Sequence, residues 1–250
     1  MNYRLTIQYD GAEFHGWQMQ GGLRTVQGEL TRVLSLLDGR GVLVHGAGRT
    51  DAGVHAAGQV ASVHLEREFE PLKLRGAING NLARDARVIE AAIVPDDFHA
   101  RFSARGKTYL YRIFNAPFMS PFWSRYAHHE ARSLSLEMMQ RAAACFPGSH
   151  DWTAFSAAQS DVKTRVRNVT GLAVTEEWSE RGLGRLINIS ASAEGFLRYM
   201  VRSIAGTLLA AGRGELDEAA IVHMIASGER HRRAATAPAC GLTLMRVHYD

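Results

Sequence analysis

Apolar residues in this chain recur at every second position in some stretches and at every third or fourth in others, and that switching confines it to folds that mix helices with sheets. Tyr3-Arg4-Leu5-Thr6-Ile7-Gln8-Tyr9 alternates and reads as a strand, and Asp10-Gly11 supplies a turn after it. Leu23, Val26, Leu30, Val33, Leu34 and Leu37 follow at helical spacing, which predicts an amphipathic helix. Val42-Leu43-Val44 reads as a short buried strand. Beyond a glycine-rich stretch, Ala61, Val63 and Leu65 occupy one face of another strand, followed by a predicted helix over 72–82 and a strand over 88–94.

Around 98–105 this pattern gives way to a basic segment, and the domain boundary is placed there: residues 1–104 form one α+β half and 105–250 a second. The second half reuses the same vocabulary. A strand is predicted over 108–113, a helix over 134–145, and strands over 166–178 and through Ile187, Ile189 and Ala191. Phe196, Met200, Ile204 and Leu208 recur every four residues and predict a helix beginning near Phe196. A shorter helix over 216–225 and a strand over 242–249 close the chain. The two halves share this order loosely, without a residue-level repeat.

Charge and cysteine content bound the function classes. Lys and Arg number 29 against 25 Asp and Glu, a net charge of +4. Only Lys73, Lys107 and Lys163 are lysines, and the remaining basic residues are arginines, whose planar fork suits phosphate. This balance permits a nucleic-acid partner without establishing one. Cys145 and Cys240 form no C-x-x-C pair, which argues against a disulfide framework or zinc ribbon and for a reducing cytoplasm. The opening segment lacks the apolar run of a signal peptide. The most apolar later stretch, 196–209, is too short to span a bilayer and contains Arg198 and Arg202, so no membrane association is expected.

The stretch His45 to Val60 holds the chemistry. Gly46, Gly48, Gly53 and Gly58 allow a path that bulkier residues could not follow and leave space for a ligand. Arg49, Thr50 and Asp51 set a guanidinium, a hydroxyl and a carboxylate in succession within it. A dinucleotide fingerprint fails, because the third glycine is misplaced and the next segment alternates like a strand. No Gly-Lys-Ser/Thr is present for a phosphate loop, and His45, Asp51 and His55 fit no standard metal-ligand spacing. Spacing alone leaves two readings open: a structural hairpin with Asp51 as a turn residue, or a site in which Asp51 does chemistry.

Gly48-Arg49-Thr50-Asp51-Ala52-Gly53-Val54-His55-Ala56 closely resembles the signature of the pseudouridine synthases that act on the tRNA anticodon arm, the TruA family. Further motifs stand in that family's order along nearly the whole chain: Tyr9-Asp10-Gly11, Gly16-Trp17-Gln18 and Thr25-Val26-Gln27 at the start, then Phe98-His99-Ala100-Arg101-Phe102-Ser103-Ala104 and Lys107-x-Tyr109-x-Tyr111-Arg112 midway. Asp151-Trp152-Thr153-Ala154-Phe155-Ser156, Phe196-Leu197-x-x-Met200-Val201-Arg202 and Gly241-Leu242-x-Leu244 follow. Tyr199 stands where the family often has histidine, and Ala83 and Ala86 replace a proline and an aliphatic residue.

The resemblance implies a catalytic site and a substrate. Pseudouridine formation exchanges the N1–C1′ bond for a C5–C1′ bond, and Asp51 is the carboxylate it requires, whether it attacks C1′, attacks C6 or assists elimination to a glycal. Arg202 is the family's candidate cation for holding that carboxylate ionised, and Arg198, four residues earlier, is expected on the same helix face. Tyr109 resembles the family's catalytic tyrosine and is expected to stack on the target base with its hydroxyl near C5 or the sugar, with Tyr111 in the core. Arg49 is expected to bind the substrate, filling the place of an extruded base or holding a phosphate. Arg24, Lys107 and Arg198 complete the expected RNA contacts, with Arg101, Arg105, Arg165 and Arg167 as further backbone contacts. No cofactor and no metal are expected. The implied fold is α+β, two similar halves each with a mostly antiparallel sheet backed by helices, and a basic cleft between them. A homodimer acting on uridines 38 to 40 of the anticodon stem-loop follows from the same resemblance. His45, His64 and His128-His129 are expected at the surface or in turns, and Trp17 and Trp152 in the core. The competing reading is a non-catalytic RNA-binding module with RRM-like sheets, against which no RNP signature appears.

Overall fold

In the computed structural model, which describes residues 1–158, 162–180 and 184–249, the alternating opening segment is strand β1 (Asn2–Tyr9). Helix α1 (Val26–Asp38) starts where the Thr25 side chain accepts from the Gly28 N–H and ends at Gly39 in left-handed conformation. Leu23 therefore lies outside the helix and is exposed. Strand β2 (Val44–Gly46) begins two residues later than expected, because pairing runs from Val44 opposite Val63 to Gly46 opposite Ala61. Leu43, read as buried, is exposed. Strand β3 (His55–His64), helix α2 (Pro71–Asn81) and strand β4 (Ala86–Val94) follow. Pro71 opens α2 where a missing N–H costs nothing, and Glu70 accepts from the Leu72 and Lys73 N–H groups.

β5 (Gly106–Asn115), β6 (His128–Glu130), α3 (Leu136–Ala143), β7 (Gly148–Asp151), β8 (Val166–Glu180), β9 (Gly184–Ala193), α4 (Met200–Gly212) and α5 (Glu218–Ser227) come next, and β10 (Leu242–His248) closes the order. The chain divides into two units, Met1–Arg105 with Thr243–Asp250, and Gly106–Leu242. The expected single boundary after residue 104 is thus joined by a second near Leu242, because β10 pairs in parallel with β3, Thr243 opposite His55 and Leu244 opposite Ala56.

In the first unit β1 lies between β3 and β4 and is antiparallel to both, while β2 and β10 take different stretches of the other edge of β3. Leu5 and Ile7 of β1, Leu30, Val33 and Leu34 of α1, and Leu74 and Ile78 of α2 are fully buried. The helical stripe therefore covers one face of the sheet. In the second unit the order is β5-β9-β8-β7, all antiparallel, with β6 parallel to β5. Tyr111 and Ile113 of β5 and Ile187, Ile189 and Ala191 of β9 are fully buried, and α4 lies against α3 and β5. Trp17 and Trp152 are buried, as expected. His128 and His129 are not turn residues: they lie in β6, half-buried, and burial pushes the His128 pKa down. Both units are sheets backed by helices, an α+β fold with mostly antiparallel strands. Among the described residues no helix is long and apolar enough to cross a membrane.

Candidate active site

Asp51 sits in the loop between β2 and β3, half-buried, and nearly every neighbouring residue fixes that loop. The Ala47 N–H donates to the Val60 carbonyl at 2.8 Å, and the buried Gln59 amide donates to the Gly48 carbonyl at 3.2 Å. The Thr50 hydroxyl meets the Tyr9 hydroxyl at 2.8 Å, while the Thr50 carbonyl accepts from the Trp17 N–H at 3.0 Å. Burial pushes the Tyr9 phenol up to about 12, partly offset by its bonds to Thr50 and Gln59, so it stays protonated as a structural tie. The Asp51 carbonyl accepts from the Val54 N–H at 3.1 Å, closing a tight turn.

Two glycines upstream make this possible. A Cβ on Gly16, whose φ is +88°, would lie 2.6 Å from the Thr50 carbonyl oxygen, and one on Gly11 would lie 2.0 Å from that of Val54. The opening segment can therefore press directly against the Asp51 turn. Gly46 and Gly58, by contrast, do not leave room for a ligand as the sequence suggested. The Trp17 ring fills the space beside Gly46, and the Met245 backbone fills the space beside Gly58.

Arg49 is exposed, one residue from the pinned Thr50. Arg24 is differently placed. Its two terminal nitrogens grip Asp85 at 2.6 and 2.8 Å, and its guanidinium lies 4.2 Å from the centre of the Phe14 ring. That hydrogen-bonded pair pushes the Arg24 pKa up and the Asp85 pKa down. A fork expected to hold phosphate is thus turned onto a carboxylate of its own unit.

Tyr109, Lys107, Arg198 and Arg202 stand in the second unit. Tyr109 lies on β5 opposite Ala191, mostly buried, with its ring perpendicular to that of Phe196 and the centroids 5.2 Å apart. Lys107, two residues earlier on the strand, shares its face. Tyr111 is core, and its hydroxyl donates to the Pro238 carbonyl. On α4 every residue is buried except Arg202, so this helix presents a single partly exposed charge. The Arg202 Nε donates to the Ala237 carbonyl at 2.8 Å, and the Ala237 N–H returns a bond to the Arg202 carbonyl at 3.0 Å.

The helix begins at Met200, not near Phe196, because Tyr199 adopts a left-handed backbone that interrupts the run. Arg198 consequently lies outside the helix, and the expected shared helix face with Arg202 does not exist. The two guanidiniums meet instead on the Tyr199 ring, at 4.8 and 5.2 Å from its centre. Arg165 and Arg167 spend donors on carbonyls of nearby residues, Ala158 for one and Thr164 and Val166 for the other. The sequence reading missed Tyr9 and Gln59 as ties of the Asp51 loop, and Ala237 as the anchor of Arg202. Tyr9 did carry a signal: alternation places its hydroxyl on the same face as Leu5 and Ile7, where it needs a buried partner. Among the described residues no group of three or more His, Cys, Asp or Glu side chains is gathered so that it could hold a metal ion.

The family profile described as tRNA pseudouridine synthase matches residues 5–103 and 142–250. The chain is 40% identical over 249 residues to the tRNA pseudouridine synthase A of Bacillus sp. (strain KSM-64), covering 99% of each chain. It is 42% identical over 246 residues to the protein of that name from Ruminiclostridium cellulolyticum, covering 98% of each. With the namesake from Methylacidiphilum infernorum it shares 42% over 250 residues, all of this chain and 96% of the other.

Proposed function

The chain belongs to the tRNA pseudouridine synthase family, and on that premise we propose that it is the isomerase converting uridines 38 to 40 of the tRNA anticodon arm to pseudouridine, with Asp51 as its essential carboxylate. The observation that carries this reading is the Asp51 loop itself. A solvent turn needs no scaffold, yet this one is tied through Gly48, Thr50 and Val54 and packed against Gly11 and Gly16. Such pre-organisation makes sense for a carboxylate that must meet a reacting atom in a fixed geometry.

The reaction breaks N1–C1′ and forms C5–C1′. The C5 proton is lost and N1 gains one, so composition and oxidation state are unchanged and the chemistry calls for no redox partner. In this proposal Asp51 supplies the anionic oxygen and Arg202 the balancing positive charge. Tyr109 offers its ring to the extruded base, with Phe196 set at right angles beside it. Arg49, Lys107 and Arg198 hold the RNA, whereas Arg24 serves the scaffold through Asp85. The protein works in the cytoplasm as a homodimer. A purely RNA-binding module is the weaker reading, because binding alone gives no reason to hold a carboxylate within a basic segment.

Asp51→Asn tests this directly. Asn keeps the size and the turn preference but lacks the anionic oxygen. Single-turnover tritium release from C5-labelled tRNA should fall by roughly a thousandfold or more, while filter binding shows tRNA affinity unchanged or slightly tighter. Substantial release by the variant would remove Asp51 from the chemistry.

A further inference from the structure

Tyr199 is the one non-glycine residue with a positive φ, +67°, among the described residues. A residue with a Cβ resists that conformation, a bulky ring especially, and strain of this kind persists only where the surroundings enforce it. Neither capping nor backbone preference accounts for a tyrosine here. Tyr199 occupies the N-cap of α4 but its side chain makes no capping bond, and Asn or Gly would suit the left-handed backbone better. What the conformation achieves is the position of the ring. Its face lies by both the Arg202 and the Arg198 guanidiniums, and the Arg198 Nη2 donates to its hydroxyl at 3.0 Å. Two like charges that would repel are both drawn to one ring, whose π faces are negative.

These contacts bear on both the stem and the tip of Arg202. Its Nε is tied to the Ala237 carbonyl, which fixes the stem, and the Tyr199 ring borders its tip. We propose that Tyr199 is a positioning residue, whose strained backbone sets its ring against the Arg202 guanidinium and so orients that cation for the reaction. The inference rests on the assignment of Arg202 to the chemistry made above. An imidazole, a smaller aromatic ring, would leave less surface to share between two guanidiniums.

The test compares the full-length wild type with Tyr199→Asn, Tyr199→Phe, Arg202→Ala and the double variant Tyr199→Asn/Arg202→Ala. Asn tolerates the left-handed backbone, so Tyr199→Asn should raise Tm by about 2 °C or more. The same variant should slow single-turnover product formation about tenfold, with tRNA Kd changed by less than about threefold. Tyr199→Phe, which keeps the ring, should retain most of the rate. In the Arg202→Ala background the Asn substitution should add no further loss, since its effect passes through the missing cation. A residue that merely supports the fold would instead lose stability and rate together. That outcome, full additivity in the double variant, or a wild-type rate for Tyr199→Asn beside an impaired Arg202→Ala would each overturn the proposal. A wild-type rate for Arg202→Ala would remove the role of Arg202 first, and this inference with it, leaving the role of Asp51 to its own test.

Discussion

Arg24 and Arg49 carry the same group and look alike in the sequence, but their neighbours set them different tasks. Arg24 is held by Asp85 and Phe14, while Arg49 is exposed beside the Asp51 turn. Arg24→Ala should lower stability by up to about 1 kcal/mol, since the pair is partly open to solvent. Its tRNA affinity should stay near wild type. Arg49→Ala should do the reverse, weakening tRNA binding at unchanged Tm, and thermal unfolding beside filter binding would show the crossing. The Asp85 carboxyl titrates below its ordinary range in the folded state. The stability it contributes is therefore present above the unfolded value of about 4 and is lost as pH falls through the lower folded value. Gly16→Ala makes a sharper demand, because both its φ and the nearby Thr50 carbonyl oppose a side chain. It should cost about 1 kcal/mol or more in stability and slow the reaction by displacing the Asp51 turn. The signature around Asp51 was legible because it is contiguous. The engagement of Arg24 was not, because Asp85 belongs to a turn far along the chain.

Elements were legible where their signals are local. Thr25, Glu70, Ser135 and Asp217 each cap a helix with a side-chain oxygen, and the predicted helices fall close to these starts. The failure at α4 has the same origin in reverse: the four-residue recurrence from Phe196 is real, but no local rule announces a tyrosine in left-handed conformation. The short strands β6 and β7 went unseen, being defined by their partners more than by their own residues. The C-terminus of α1 illustrates how tertiary contacts outvote an element's own field. Asp38 is its last residue, where the helix dipole disfavours an anion. Burial also opposes its charge, yet the Arg67 N–H, the Arg40 guanidinium and the Glu66 N–H together hold its pKa below the ordinary value. Asp38→Ala should cost about 2 kcal/mol, read as a lower midpoint in urea, because three donors lose their acceptor. The difference from wild type should shrink as pH drops through the depressed folded-state value of Asp38, where the wild type loses the same charge. A constant difference at all pH values would show that the charge is not what matters.

For the molecule as a whole, net charge +4 and the predominance of arginine predict RNA binding that depends on salt. The slope of log K against log salt should be about −0.7 to −0.9 per phosphate contact, so each contacting arginine removed should flatten it by nearly one unit. A flat affinity between low and moderate salt would argue against contact with the RNA backbone. The α+β class was legible from periodicity, but the division of the chain was not. A sequence read from one end to the other gives no sign that β10 belongs with the first unit, since parallel pairing of Thr243 and Leu244 with His55 and Ala56 joins residues separated by most of the chain. That pairing also has a history in time. The segment bearing Asp51 emerges from the ribosome early, while the strand that braces the start of β3 directly after it emerges late. A nascent chain thus has the ties of Tyr9, Trp17 and Gln59 early but lacks the strand that anchors the loop's exit into β3, and full order waits on synthesis. Ribosomes stalled before Thr243 should carry a first unit whose 47–54 loop a protease cuts readily, and the same loop should become resistant once the chain is complete.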